Sequence, residues 1–146
     1  MAILYAHINK TTGEIYIGQT KIAKAENRWA NGEGYKALGQ NKFYNAIKLY
    51  GWDNFIHKII EKDVPNSLID DYETTYIHYY DTVKKGYNSN LGKGKVLKNI
   101  QIKSLPAVYF NDSNGVLRSK RVLLDMDNTI FSTKYYNDKN GILRAL

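Results

Sequence analysis

The sequence predicts an α+β domain over its first ninety or so residues, followed by a duplicated extension rich in β-hairpins. Three observations support this fold class. The N-terminal residues alternate in polarity around a turn, three later segments carry apolar residues at helical spacing, and the C-terminal residues repeat without gaps. The 146 residues suffice for one domain with a hydrophobic core and a small appendage.

The first predicted element is a hairpin with strands from Ile3 to Ile8 and from Glu14 to Ile17, joined by the turn-forming residues 9–13. If Ile8 pairs with Gly13, Tyr5 lies opposite Tyr16. One face then carries the aliphatic residues Leu4, Ala6, Ile8, Ile15 and Ile17, and the other carries Tyr5, His7, Glu14 and Tyr16. The aliphatic face is expected in the core. The tyrosine pair is either ordinary cross-strand packing or part of a site.

Two helices and a strand are predicted next. The helices cover about residues 22–31 and 42–50, and the strand covers residues 55–61. The second helix has Phe43, Ala46, Ile47 and Tyr50 at helical spacing and ends at Gly51, a typical C-terminal cap. These aromatic residues are therefore expected in the core.

A third helix is predicted over residues 67–82, with Ser67 and Asp70 as a capping box and Gly86 as its stop. Its apolar arc comprises Leu68, Ile69, Tyr72, Tyr76, Ile77, Tyr79 and Tyr80. Its polar arc comprises Asp70, Asp71, Thr74, Thr75, His78 and Asp81. Glu73 falls in the middle of the apolar arc, so we expect it to be protonated, metal-bound or paired with a lysine or arginine. His7 and His57 are interpreted as structural or exposed residues, because no histidine spacing indicates a zinc site.

Composition narrows the class of partner. The chain has a formal net charge of +7, thirteen tyrosines and no cysteine. No apolar run could cross a membrane and no export signal is apparent, so we expect a cytoplasmic protein without a membrane partner. Between Asp81 and Asp112 there is no acidic residue but there are six lysines. This segment is either a polyanion-binding stretch or a solvated linker.

Residues 95–120 align without gaps on residues 121–146. Asn114-Gly115 matches Asn140-Gly141, a dipeptide typical of tight hairpin turns, so each copy is expected to form a β-hairpin. A 26-residue unit cannot bury a core of its own. The copies must therefore pack on each other, on the first domain (residues 1–94) or on a second chain.

From Ile3 to about Gly94 the chain resembles the GIY-YIG endonuclease family. The first signature reads Ile3-Leu4-Tyr5 and the second reads Tyr16-Ile17-Gly18. Arg28 matches the arginine of the first helix, Glu73 matches the metal-binding glutamate, and Gly86-Tyr87-Asn88 matches the motif near the end of the domain. Ile3 replaces a glycine of the signature. A histidine that often follows the arginine is missing, with Tyr35 and Lys42 as candidate substitutes.

The resemblance implies a small three-stranded antiparallel sheet flanked by helices and a phosphodiesterase that uses one Mg²⁺ or Mn²⁺ on Glu73. It implies that Arg28 stabilises charge on the phosphate and that Asn88 orients a nearby group or a phosphate. Tyr5 is favoured as the base and Tyr16 as a positioning donor, although the two could exchange roles. The base would need its pKa lowered by the cation and Arg28. The expected products carry a 5′ phosphate and a 3′ hydroxyl.

The leading hypothesis is a DNA endonuclease of homing or phage type, acting on double-stranded DNA, with the C-terminal copies binding DNA. Two alternatives stay open: a catalytically silent DNA-binding protein and a dimeric restriction-type enzyme. The residues expected to contact nucleic acid are Lys42, Lys84, Lys85, Lys93, Lys95, Lys98, Arg118 and Arg144.

Overall fold

The computed structural model describes residues 1–36 and 41–106 and four short strands beyond them. Met1–Lys10 and Glu14–Leu105 belong to one compact unit, and the four later strands belong to a second. No helix in the described part of the chain is both long and apolar enough to cross a bilayer.

The first unit is built on an antiparallel sheet of three strands: β1 (Ala2–Asn9), β2 (Ile15–Thr20) and β3 (Phe55–Val64). The order is β2-β1-β3, so β1 is central and both its edges are paired. The antiparallel three-stranded sheet expected from the sequence is confirmed. Both faces of β1 are buried, which is why this strand reads as almost continuously nonpolar.

The hairpin register differs from the predicted one by two residues. Ile8 pairs with Ile15, so Tyr5 lies opposite Gly18 and Tyr16 lies opposite His7. Gly13 belongs to the turn with φ of +78°, a conformation that glycine adopts without strain. The predicted pairing of Tyr5 with Tyr16 is therefore wrong. The assignment of side chains to faces survives, because side-chain direction repeats every two residues.

Three helices flank the sheet: α1 (Ala25–Trp29), α2 (Asn41–Tyr50) and α3 (Ile69–Tyr80). α1 is shorter than predicted because the chain turns at Ala30 and Asn31, both with positive φ, and continues as a 3₁₀ segment, Ala30–Tyr35. A second 3₁₀ segment, Trp52–Asn54, leads into β3. α3 begins at Ile69 without a side-chain cap, so the predicted capping box does not form.

The buried face of α3 only partly matches the predicted one: Ile69, Tyr76 and Ile77 are buried as expected. Thr74 and Thr75 are buried, whereas Leu68 and Tyr79 are exposed. The cause is the segment 92–105, hereafter the α3 strap, which lies along the helix. Backbone N–H groups of the strap donate to side chains of α3: Gly94 to Thr74 Oγ1 (3.0 Å), Lys95 to Asp71 Oδ1 (3.0 Å), Leu97 to Thr75 Oγ1 (2.8 Å) and Lys103 to the Tyr76 hydroxyl (3.0 Å). Polar side chains of α3 thus provide hydrogen-bond acceptors for backbone N–H groups of the strap.

The second unit contains β4 (Tyr109–Asn111), β5 (Leu117–Ser119), β6 (Tyr135–Asn137) and β7 (Leu143–Ala145). β4 pairs with β5 and β6 with β7, both antiparallel, and their registers are related by the 26-residue repeat. β5 also pairs with β6, so the two copies share one sheet. The turns Asn114-Gly115 and Asn140-Gly141 lie outside the described residues.

Candidate active site

Tyr5 and Tyr16 lie on the face of the sheet that carries an aromatic cluster. Tyr5 is 0% exposed and Tyr16 is 5% exposed. The ring of Tyr5 crosses to the neighbouring strand, where a Cβ on Gly18 would lie only 2.7 Å from Tyr5 Cε1. Gly18 therefore makes room for the catalytic candidate Tyr5, and not for a ligand backbone.

Arg28, near the end of α1, is held in place by two contacts. Its Nη1 donates to the carbonyl oxygen of Gly34 at 2.7 Å, and its guanidinium carbon lies 4.9 Å from the ring centroid of Tyr35. Both partners come from the 3₁₀ segment that follows α1, so the turn at Ala30 brings them back to the arginine. The guanidinium is thus oriented before any substrate binds.

Glu73 is a partly buried carboxylate of α3. Burial raises its pKa to about 7, a hydrogen bond from Gln19 opposes the rise, and the nearby charge of Asp70 adds to it. Gln19 Nε2 also donates to Asp70 Oδ1 at 2.7 Å. Within the described ranges no lysine or arginine forms an ion pair with Glu73, and no three histidine or acidic side chains cluster as metal ligands. The carboxylate is therefore desolvated without a cation to compensate it.

Arg28 and Glu73 both act electrostatically on the two predicted catalytic tyrosines. The pKa of Tyr5 is raised mainly by burial; hydrogen bonding to Tyr35 and the charge of Arg28 lower it, and Glu73 raises it. The pKa of Tyr16 is likewise raised, first by burial and then by Tyr5 and Glu73, against the lowering effect of Arg28. Arg28 and Glu73 thus both lie within electrostatic range of Tyr5 and Tyr16, and in this sense the four groups share one neighbourhood. Arg28 acts in the expected direction, but burial outweighs it.

Three further side chains, Tyr35, His7 and His57, form a line of close polar contacts that begins at Tyr5. The sequence did not indicate that these residues lie together. The hydroxyls of Tyr5 and Tyr35 are 3.2 Å apart, and Tyr35 reaches His7 Nε2 at 2.8 Å. His7 Nδ1 lies 2.9 Å from His57 Nδ1 on β3, directly across the strand pair. The available signal was that His7 shares a strand face with Tyr5. His57 could not be placed without the register of β1 and β3.

Trp29 completes the wall around Tyr5. Its ring packs edge-on against Tyr5 (5.3 Å) and His7 (4.8 Å). Its Nε1 is buried and has no hydrogen-bond partner among the described residues, yet it lies close enough to the Tyr5 hydroxyl to lower the pKa of Tyr5. This N–H would form a full hydrogen bond if charge developed on the Tyr5 oxygen.

Asn88 is buried and bonds to protein groups. Its Oδ1 accepts from the backbone N–H of Ile17 (2.9 Å) and the hydroxyl of Thr82 (2.7 Å), and its Nδ2 donates to the Ile17 carbonyl (2.9 Å). Ile17 lies between Tyr16 and Gly18, so Asn88 fixes the backbone of β2 where the second signature lies. The contacts seen for Asn88 position the strand, and none of them leads to a phosphate site.

The predicted nucleic-acid contacts are spread over the surface. Lys42 Nζ donates to the Val83 carbonyl at 2.7 Å. Lys84, Lys93, Lys95 and Lys98 are exposed and Lys85 is partly buried. Arg118 and Arg144 occupy equivalent register positions in β5 and β7, opposite Phe110 and Tyr136, and their side chains lie outside what the structure describes.

Comparison with known proteins identifies the fold of the first unit. No family model matches the chain. The candidate endonuclease segC of Enterobacteria phage T4 is 36% identical over 90 residues, which are 61% of this chain and 42% of segC, so the chain spans less than half of that relative. The catalytic domain of the intron endonuclease I-TevI, solved as a glutamate-to-alanine mutant, superimposes with a TM-score of 0.54 at 20% identity and covers 64% of this chain and 99% of that domain. The first unit of this chain therefore has the GIY-YIG nuclease fold.

Proposed function

We propose that this chain is a divalent-metal-dependent endonuclease of phage or homing type that hydrolyses DNA. The observation that carries the proposal is the shared neighbourhood of Tyr5, Tyr16, Arg28 and Glu73 on a GIY-YIG fold. The names of segC and I-TevI, both endonucleases, support the same class of activity. The site combines a carboxylate that can bind a cation, a fixed guanidinium that can bind a phosphate and a phenol that can accept a proton.

Glu73 is suited to hold Mg²⁺ or Mn²⁺. A desolvated carboxylate with a pKa near 7 and no cationic partner in the described structure would gain much from a bound cation. One protein oxygen leaves most coordination positions to water, as is usual for Mg²⁺. The bound cation would supply Lewis acidity at a phosphate oxygen and the leaving oxygen.

The chain's own side chains would do the rest. Arg28, held by the Gly34 carbonyl and the Tyr35 ring, would donate to the phosphate oxygens as their charge grows. Tyr5 would accept the proton of the attacking water, and Tyr16 would orient that water or the phosphate. Attack by water at phosphorus with departure of the 3′ oxygen leaves a 5′ phosphate and a 3′ hydroxyl.

Double-stranded DNA is the proposed substrate. The net charge of +7 favours a polyanion, and the exposed lysines of the α3 strap, Lys93, Lys95 and Lys98, lie on the same segment that binds the helix of Glu73. Phosphate contacts of this kind would strengthen binding without reading the base sequence.

Nicking of a supercoiled plasmid tests the proposal. Wild type with Mg²⁺ or Mn²⁺ should convert supercoiled DNA to nicked or linear forms, and DNA ligase should reseal the nicks, because ligation needs a 5′ phosphate and a 3′ hydroxyl. Glu73→Gln should lose at least about 100-fold in rate. Glu26→Gln is the matched control: it makes the same chemical change at an exposed position of α1 and should retain activity.

Two results would contradict the proposal. If wild type binds DNA but cuts no plasmid with either metal, the chain is a silent DNA-binding protein. If Glu73→Gln cuts as fast as wild type, the assigned site is wrong. Sedimentation of wild type with and without DNA would show whether double-strand breaks arise from a dimer.

A further inference from the structure

We propose that Tyr35, His7 and His57 form a proton relay that carries a proton from the Tyr5 hydroxyl to the half-buried ring of His57 during cleavage. The proposal rests on the proposed nuclease function and adds three residues to it. None of the three contacts the phosphate; each acts through the next.

The geometry is a continuous line of four groups. Successive distances are 3.2 Å from Tyr5 to Tyr35, 2.8 Å from Tyr35 to His7 Nε2, and 2.9 Å from His7 Nδ1 to His57 Nδ1. Tyr35 and His7 are each 0% exposed, as is Tyr5 without DNA, so bulk water does not compete for these hydrogen bonds. The attacking water must therefore reach the Tyr5 hydroxyl when DNA binds. Both nitrogens of His7 are engaged, one toward each neighbour, which is the arrangement that lets an imidazole pass a proton through.

A relay answers a chemical difficulty of this site. A neutral phenol can accept a proton only if it loses its own, and burial raises the pKa of Tyr5, so the phenolate is scarce near neutral pH. The Tyr5 proton therefore needs another acceptor, and Tyr35 is the hydroxyl within reach.

Each proton moves one step along the line from Tyr5 to His57, so that every group that accepts a proton also gives one up, except His57 at the end. In the structure the Tyr35 hydroxyl donates to the Tyr5 oxygen, and for the transfer it turns to His7 Nε2. As the attacking water gives a proton to Tyr5, the original Tyr5 proton then moves to the Tyr35 oxygen and the Tyr35 proton moves to His7 Nε2. The Nδ1 proton of His7 then moves to His57 Nδ1. The site gains a hydroxide for attack on phosphorus, the two phenols and His7 end neutral, and His57 ends as an imidazolium that returns its proton to solvent.

The charges around the histidines suit these roles. His7 packs against Trp29 of α1, Tyr16 of β2 and Phe43 of α2; burial, followed by the charges of His57 and Arg28, holds its pKa well below the usual range. His7 is therefore neutral, and its Nε2 can accept a proton from Tyr35. His57 stacks on Trp52 at 4.0 Å and has Lys10 and Asp53 nearby. Burial also lowers the pKa of His57, so it releases the proton readily.

The test uses the full chain, a supercoiled plasmid and Mg²⁺, with the nicking rate measured in a single turnover. Tyr35→Phe removes one hydroxyl and keeps the ring over Arg28. His57→Asn keeps an oxygen that can accept from His7 but takes no proton. His78→Asn makes the same change at an exposed histidine of α3 and is the control. Each relay variant should lose about 10- to 100-fold in rate, and the control should lose none.

Two further readouts separate a relay from mere structural support. The double variant should be no slower than the worse single variant, since either break stops the same transfer, and the solvent deuterium isotope effect of wild type should fall in both. Nitrogen NMR of His7, which needs no DNA, should show a neutral ring at pH 7.

The outcomes are distinct. Nicking by wild type with full rates in both relay variants would overturn the relay and leave the nuclease proposal standing, as would a doubly protonated His7 at pH 7. Multiplicative losses in the double variant with an unchanged isotope effect would assign the residues a structural role. If wild type cuts nothing, the proposed function and the relay fall together.

Discussion

Replacing Glu73 by glutamine should alter how the stability of the fold depends on pH. Burial raises the pKa of Glu73 from an ordinary 4.5 to about 7, so the folded chain holds a proton on this group that the unfolded chain has lost. Between these two values, stability falls as pH rises, because the folded state binds more protons than the unfolded state. Above pH 7 the carboxylate is charged in both the folded and the unfolded state. The folded state then carries the full free-energy cost of burying that charge.

The magnitude follows from the two pKa values. Their difference corresponds to about 3 kcal/mol in the free energy of unfolding. Glutamine has nearly the same shape and is neutral throughout, so it should not show this loss. The difference in unfolding free energy between Glu73→Gln and wild type should therefore be small near pH 4.5 and grow by about 3 kcal/mol up to pH 8.

Urea unfolding at half-unit pH steps, followed by circular dichroism, measures both curves. Subtracting them cancels the other titrating groups, including His7 and His57, because both variants contain them. Adding Mn²⁺ at pH 8 should stabilise wild type and leave Glu73→Gln unchanged. Parallel stability curves would refute the inference that Glu73 is desolvated, and equal stabilisation by Mn²⁺ would place the cation elsewhere.

Three further predictions concern packing around the site. Gly18→Ala should cost about 1–3 kcal/mol of stability and slow plasmid nicking, because the new Cβ would lie 2.7 Å from the ring of Tyr5; thermal unfolding and the nicking assay check this. Asn88→Ala should cost about 3 kcal/mol in urea unfolding, because it leaves the buried N–H and carbonyl of Ile17 without partners, and a loss below about 1 kcal/mol would show that water replaces the amide. Thr75→Val should speed proteolytic cleavage within residues 92–105 whereas Thr75→Ser should not, and equal protection in both would mean that this hydroxyl does not hold the strap.

The local pattern of the chain was sufficient for the element types and for the signature residues. Alternation in β1 placed Tyr5 and His7 on one face, and the two-residue error in register left that assignment intact because side chains repeat with a period of two. Helical spacing located α2 and α3, and the 26-residue repeat predicted two equivalent strand pairs. Apart from the repeat, these properties depend on neighbours within a few positions.

Contacts between distant segments decided what the pattern could not. The strap, some twenty residues later, lies over Thr74 and Thr75 and forms hydrogen bonds with both. His7 meets His57 fifty residues away, and this meeting depends on the register of β1 and β3. Burial of Tyr5 and Glu73 is likewise a sum over many segments, and it determines the direction in which their pKa values move. The sequence by itself determined the signature groups of the site, since short-range periodicity and motif order can be read from residues close together in the chain. The tertiary structure alone decided which of those groups touch and how readily each gives up a proton, because hydrogen bonding and desolvation depend on partners that come together only when the chain folds.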